Sequence, residues 1–215
     1  GRWPVPSWEE IASWPIDNDQ KGNDDIRPGD IKYVDLDKNG FIDTYDQMAI
    51  GGTENPEIVY GFGVNLRWKE LDFGAMFQGI GRTWRILSSN IMPASNKGSM
   101  YNIFDNYQDR WTVDNQSQDV FYPRADYGPN ANNSQKSTWW LRNMSFLRLK
   151  NLELGYSCPK KWLQGFVISN ARVFVRGTNL LTFSKFNLWD PELATGDGAK
   201  YPAMKSVSVG FDITF

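Results

Sequence analysis

The chain has 215 residues, a formal net charge of −2 and 15% aromatics, including ten Trp, at a mean hydropathy of −0.52. This balance gives no basic footprint for nucleic acid. No apolar run nears the about 18 residues of a membrane helix, although strands of a barrel need only alternate. There is no His, so imidazole metal sites and Ser-His catalysis are excluded, and the lone Cys158, ahead of Pro159, makes neither an internal disulfide nor a cysteine zinc site. A thiol packed or exposed in a turn is the reading for Cys158.

Residues 1–57 read as a polar, acidic external loop region. Ser7-Trp8-Glu9-Glu10 has a helix-start signature, with Ser7 as N-cap and Glu10 positioned to reach back. Ile11 and Trp14 supply one apolar side, and Pro15 ends the helix after about two turns. The chain begins at Gly1 with no basic or apolar leader pattern, so a trimmed secreted precursor and a fragment of something longer are both open readings.

Asp35-Leu36-Asp37-Lys38-Asn39-Gly40-Phe41-Ile42-Asp43-Thr44-Tyr45-Asp46 matches the calcium-loop pattern. Oxygen ligands fall at Asp35, Asp37, Asn39, Asp43 and Asp46, Gly40 takes the sharp turn, and Phe41 offers its backbone carbonyl. Ile42 packs inward. Asp46 stands where sensor loops carry Glu. A shorter closing ligand is similar to dockerin-type extracellular loops and points to a weaker, structural Ca2+ site. Residues 17–46 carry nine Asp against four Lys or Arg, so the segment repels itself without a cation. The plain alternative is an Asp-rich turn that holds no metal.

Alternation begins near Ile58. Tyr60, Phe62, Val64, Leu66 and Trp68 form one face, with Gly61, Gly63, Asn65 and Arg67 on the other. After a tight turn at Lys69-Glu70, Leu71, Phe73, Ala75 and Phe77 continue the apolar face to residue 78, opposite Asp72, Gly74 and Gln78. Residues 80–140 show little periodicity and read as a long external loop. A strand over 145–157 slips phase, with Leu147 and Leu149 on one register and Leu152, Leu154 and Tyr156 on the other. A bulge near Lys150-Asn151 reconciles them. Residues 158–170 connect to a strand over 171–183, where Val173 and Val175 oppose Arg172 and Arg176. After a loop at 184–202, the last strand alternates Val207, Val209, Phe211, Ile213 and Phe215 with Ser206, Ser208, Gly210, Asp212 and Thr214.

A wholly apolar face against a wholly small or polar one is the pattern of a strand between lipid and water. A soluble β-sandwich strand is the alternative for these ten residues alone. Parity supports the barrel. With Phe215 on the periplasmic side, the loops at 184–202, 80–140 and before Ile58 are external, and the Lys69-Glu70 turn and the connection 158–170 are periplasmic, so the shortest turn falls inside and the longest loops outside, as in bacterial barrels. About five strands cannot close a barrel, whose smallest members have about eight. The expectation is therefore an all-β fold, the C-terminal portion of a large transmembrane β-barrel, with 1–57 as loop region and 58–215 as incomplete barrel.

Several stretches together resemble the SusC/RagA family of TonB-dependent outer-membrane transporters. They are Arg27-Pro28-Gly29-Asp30-Ile31-Lys32-Tyr33 running into Asp35–Asp46, Asn55-Pro56, Tyr60-Gly61-Phe62, Phe146-Leu147-Arg148-Leu149-Lys150-Asn151-Leu152, Gly155-Tyr156 and Pro159-Lys160-Lys161-Trp162. Ile168-Ser169-Asn170-Ala171-Arg172-Val173, Asn179-Leu180-Leu181-Thr182-Phe183, Trp189-Asp190-Pro191-Glu192 and the terminal Phe215 complete the set. The likeness is weakest over 80–140. It implies a plugged barrel of about 22 strands, a place in the bacterial outer membrane among its lipids, energised uptake of glycans or peptides, and a SusD-like surface lipoprotein as lid. The plug and the segment that contacts TonB would lie upstream.

Phe211, Ile213 and Phe215 resemble the C-terminal signal that assembly machinery reads. Trp84, Trp111, Trp139, Trp140 and Trp189 lie in or beside external loops as candidate sugar-stacking residues, with girdle or loop-core packing as the alternative for each. The competing function is a secreted, soluble, calcium-stabilised carbohydrate-binding module. A glycosidase needs paired carboxylates, and none here sits in an acid–base motif, so the chain is read as a non-enzyme.

Overall fold

The computed structural model describes residues 4–87, 104–126, 130–165 and 167–215. Parts of the 80–140 loop therefore lie outside the described residues. The chain forms two compact units that interleave along the sequence. One comprises residues 1–51 and 86–142, the other 52–85 and 143–215. The boundary thus differs from a simple cut at residue 57, because 86–142 folds with the N-terminal segment.

In the first unit, helix α1 (Trp8–Ser13) is capped by Ser7, whose side chain accepts from Glu10 N at 3.3 Å. The Glu10 carboxylate turns instead to Lys32 Nζ at 2.5 Å. Ile11 is buried with Val5 and Ile26, and Trp14 packs against them, so the helix contributes to a core rather than only to a surface. Burying side chains of this size contributes about 1.5–3 kcal/mol each. A second buried set is aromatic: Trp111, Tyr122, Trp139 and Trp140, with the Tyr122 and Trp140 rings 6.3 Å apart.

Polar bonds replace regular structure in this unit. Asp30, fully buried, accepts from Arg124 Nε at 2.7 Å, Asn133 Nδ2 at 2.8 Å and Asn130 Nδ2 at 3.1 Å. Asn133 Oδ1 accepts from Ile31 N at 2.8 Å, and Tyr33 Oη donates to Asn132 O at 2.5 Å. Buried polar groups need partners, and here the two segments supply several of them to each other. Those bonds fix the described parts of a loop that has no periodicity of its own.

The second unit is a five-stranded antiparallel sheet. Strands β1 (Ile58–Trp68) and β2 (Leu71–Gly81) form a hairpin whose turn residue Lys69 has φ +56, as two-residue hairpin turns demand. Two short strands, β3 (Trp84–Ile86) and β4 (Leu141–Asn143), lie where the chain passes between units. Then come β5 (Phe146–Ser157), a short helix α2 (Lys160–Leu163), β6 (Asn170–Ser184) and β7 (Ser206–Thr214). The order across the sheet is β1-β2-β5-β6-β7. The register slips between Leu149 and Asn151, so the expected bulge is present at Lys150.

The register turns five alternating strands into one two-faced wall. Trp68, Leu71, Tyr156, Val173 and Phe211 stand in one row across it, and Leu66, Phe73, Leu154, Val175 and Val209 in the next. Among the described residues nothing covers this face at its β7 side, where Val209 is 71% and Phe211 76% exposed. The opposite face carries Asn65, Gly74, Glu153, Arg176 and Ser208 in a row. A soluble domain buries its apolar face, whereas a membrane barrel turns it outward.

Candidate functional site

The acidic loop folds around its own carboxylates. Asp35 accepts from Lys38 N at 2.6 Å and Gly40 N at 2.8 Å, which winds the chain into a tight coil. Gly40 sits at φ +89, the left-handed region that its place in the pattern requires. Asp46 closes the loop, accepting from Leu36 N at 2.6 Å and Asp43 N at 2.8 Å. Ile42 is buried as expected, and its N–H donates to Asp17 O at 3.0 Å, tying the loop to the unit.

Asp35, Asp37 and Asp46 each bring one carboxylate oxygen within 4.8 Å of the others. That span is about twice the 2.3–2.6 Å of a calcium–oxygen contact, so one cation fits among the three. The donors are all hard oxygens. Asn39 donates its amide nitrogen to Asp37 at 3.2 Å and Asp43 at 3.3 Å, so ligation by Asn39 needs a half-turn of its amide. Asp43 accepts from Tyr45 N at 2.7 Å as the N-cap of a 3-10 turn, Thr44–Asp46, and keeps its other oxygen toward Asn39. The Phe41 carbonyl belongs to the stretch bridged to Asp17.

Ionisation in the loop is uneven. Asp37 is pushed up from its ordinary pKa, first by desolvation and then by the neighbouring Asp35 and Asp46 carboxylates. Asp35 is also desolvated, but the N–H groups of Gly40 and Lys38 outweigh that and hold its pKa below the ordinary value.

The candidate stacking tryptophans separate into two groups. Trp111, Trp139 and Trp140 are buried in the loop core. Trp139 Nε1 donates to Phe121 O at 3.1 Å and Trp140 Nε1 to Asn133 O at 2.9 Å. They have no face left for a sugar, and for these three the expectation of stacking is corrected to packing. Trp84 and Trp189 are half-buried. Trp84 lies over Gly52, and Trp189 meets the Phe186 ring edge-on at 4.8 Å and covers Gly198.

The polar face of the sheet carries groups that sequence reasoning passed over. Arg172 bonds Asp72 on β2 at 2.5 Å, Glu153 on β5 at 2.6 Å and Asp212 on β7 at 3.4 Å. Arg176 joins Glu153 at 2.6 Å. Both guanidinium groups lie over the Phe174 ring, at 5.0 and 5.3 Å. Nearer the long loops, buried Arg148 pairs with Asp190 and with Glu192, the latter at 3.1 Å, while Lys150, re-aimed by the bulge, reaches Glu192 at 2.7 Å. The loop 184–202 is thereby pinned onto the polar face. The signal available in sequence was alternation itself, which already put Arg172, Arg176 and Asp212 opposite the apolar row.

In β7, Phe211 and Ile213 pair with Val173 and Ala171 on the apolar side, and Phe215 follows the strand, exposed.

No protein-family model matches the chain. It is 32% identical over 202 residues to the TonB-dependent receptor P26 of Formosa agariphila, an alignment covering 87% of this chain and 20% of that receptor. It is 24% identical over 195 residues to the TonB-dependent receptor SusC of Bacteroides thetaiotaomicron, covering 88% of this chain and 18% of SusC. Among solved structures, the RagAB peptide importer in its open-open state superposes with a TM-score of 0.66 at 34% identity, covering 85% of this chain and 20% of that one. The closed-closed state gives 0.64 at 33%, covering 85% and 20%. The chain spans about a fifth of the length of these relatives. A two-faced sheet whose apolar side is uncovered by any described residue and whose polar side is ion-paired is what such a barrel wall requires. The chain is homologous to part of the barrel of SusC- and RagA-type TonB-dependent receptors, proteins of the bacterial outer membrane.

Proposed function

We propose that this segment is one wall, with its external loop unit, of an importer that takes up glycans or peptides under a SusD-like lipoprotein lid. Energy would come from TonB, through parts of the protein beyond these residues. The observation that carries the reading is the sheet: one face fit for lipid, the other an ion-paired lining fit for an aqueous lumen. The named relatives are receptors and an importer, not enzymes, and we extend that to this protein. The soluble carbohydrate-binding alternative gains no support from a sheet with an uncovered apolar face.

The decisive experiment deletes the full-length gene in its own bacterium. Growth on oligopeptides or oligosaccharides as sole source, and uptake of labelled versions, would be compared with a complemented strain. Loss of uptake restored by complementation supports the reading. Unchanged uptake of every substrate tested would sink it. Pull-down of the full-length protein from outer membranes tests the lipoprotein lid.

A structural calcium ion belongs to the same proposal. Asp35, Asp37 and Asp46 would hold it, joined by Asp43, the Phe41 carbonyl and a turned Asn39. It would neutralise the acidic stretch and stiffen the external unit. Trp84 and Trp189 are the two tryptophans retained as substrate contacts.

A further inference from the structure

The end of the sheet with the short turns carries a set of side chains that neither transport nor calcium binding uses. Helix α2 exposes Lys160 and Lys161, and its Trp162 is 63% exposed. Val167, a few residues on, is 83% exposed. In the hairpin turn beside it, exposed Trp68 lies under Lys69, whose Nζ is 5.1 Å from the ring centre. Ser157 N donates to Glu70 O at 2.8 Å and Cys158 N to Ala171 O at 2.8 Å, which sets the two turns side by side at the sheet end.

Three features of this cluster point the same way. It is continuous with the lipid-facing side, because Trp68 begins the row that runs through Leu71, Tyr156, Val173 and Phe211. It is basic, since residues 158–169 hold two lysines and no acid, and Glu70, the one carboxylate of the hairpin turn, is half-buried. Its aromatics are Trp, the residue that settles at headgroup depth with an apolar ring and a polar N–H. Exposed Trp beside exposed Lys suits neither bulk water nor the hydrocarbon. It suits the boundary, where a lysine stem lies along apolar surface and its ammonium reaches outward.

We propose that Lys160, Lys161 and Trp162, with Trp68 and Lys69, form an interfacial anchor that binds the phosphate headgroups of anionic phospholipid on the short-turn side of the membrane. That side is the periplasmic one in bacterial barrels. The inference rests on the outer-membrane barrel assignment and is independent of what the protein transports. The ammonium groups pair with lipid phosphates while Trp162 and Trp68 sit at the headgroup level. The anchor fixes the depth of the β5–β6 turn and favours anionic over zwitterionic lipid, by roughly fivefold for each lysine engaged.

The test uses the full-length protein in nanodiscs of phosphatidylcholine alone or mixed with phosphatidylglycerol. Native mass spectrometry counts retained lipids. K160Q/K161Q should cut retained phosphatidylglycerol by roughly 25-fold and leave phosphatidylcholine unchanged, and K160R/K161R should retain it. The difference in fluorescence between wild type and W162F isolates Trp162, which phospholipids brominated high on the acyl chain should quench. Equal phosphatidylglycerol retention by K160Q/K161Q and wild type overturns the proposal. So does an unquenched Trp162, which would leave this turn to a periplasmic protein. If the glutamine variant fails to fold, as read by heat-modifiable migration, wild-type quenching alone decides. A full-length protein that needs no detergent would refute the barrel assignment itself, whereas one that needs detergent but shows no lipid preference refutes only the anchor.

Discussion

Asp30 and Arg124, separated by 94 positions in the chain, meet at 2.7 Å with the carboxylate fully buried. Arg27 N, Asn130 and Asn133 donate to the same carboxylate at 2.8, 3.1 and 2.8 Å. One side chain thus joins the acidic N-terminal segment to the long aperiodic loop. Arg124 gains a second anion in Asp126 at 2.7 Å.

Asp30→Ala should therefore unfold the first unit while leaving the barrel assembled. Removing one partner of a buried pair costs about 3–5 kcal/mol, and here the amides of Asn130 and Asn133 lose their acceptor as well. Limited proteolysis of the full-length protein in outer membranes should open new cuts within 104–126. A cleavage pattern identical to wild type would show that the two segments hold together without this knot.

Gly210 is set by an aromatic ring on the polar face. A Cβ there would lie 2.4 Å from Phe174 Cζ. Gly210→Ala should lower the amount of folded protein in the outer membrane, and adding Phe174→Ala should restore much of it. Heat-modifiable migration of the single and double variants measures this. No recovery in the double variant would place the requirement for glycine elsewhere.

Calcium affinity should depend on pH through Asp37. Its raised pKa means that the folded loop binds a proton there more tightly than the unfolded chain does. Without a cation, the loop then loses stability as pH rises through that pKa. Calcium at the proposed site would compete for the same carboxylate, so its affinity should fall as pH drops from neutral toward that value. Titration calorimetry of the full-length protein at several pH values checks it. Asp37→Asn should weaken binding and flatten the pH dependence, whereas an affinity that ignores pH in wild type would remove Asp37 from the ligand set.

Deleting Phe215 should reduce outer-membrane abundance far more than Ser208→Ala. Phe215 follows the strand on the apolar side, whereas Ser208 pairs with Arg176 on the polar face. Immunoblots of outer membranes from cells expressing each full-length variant compare them. Equal abundance would make the last strand an ordinary packed edge and withdraw the role given to Phe211, Ile213 and Phe215.

The sequence by itself determined the wall. Period-two alternation is local, so Val207 to Phe215 on one side and Ser206 to Thr214 on the other announce both the strand and its two solvents, and the phase slip at Lys150 announces the bulge. The coil at Asp35–Asp46 was legible for the same reason: each oxygen and the turn at Gly40 lie within one short stretch. Only the tertiary structure decided what 86–142 does. Its described residues are placed by hydrogen bonds to residues about a hundred positions away, such as Asn133 to Asp30, and no period in the chain records such a partner. Burial of Trp111, Trp139 and Trp140 was hidden likewise, since a tryptophan in an aperiodic loop reads the same whether it faces a ligand or a core. The pairing of Arg148 with Asp190 also waited on the fold, because a bulge and a loop 42 positions on had to bring the charges together.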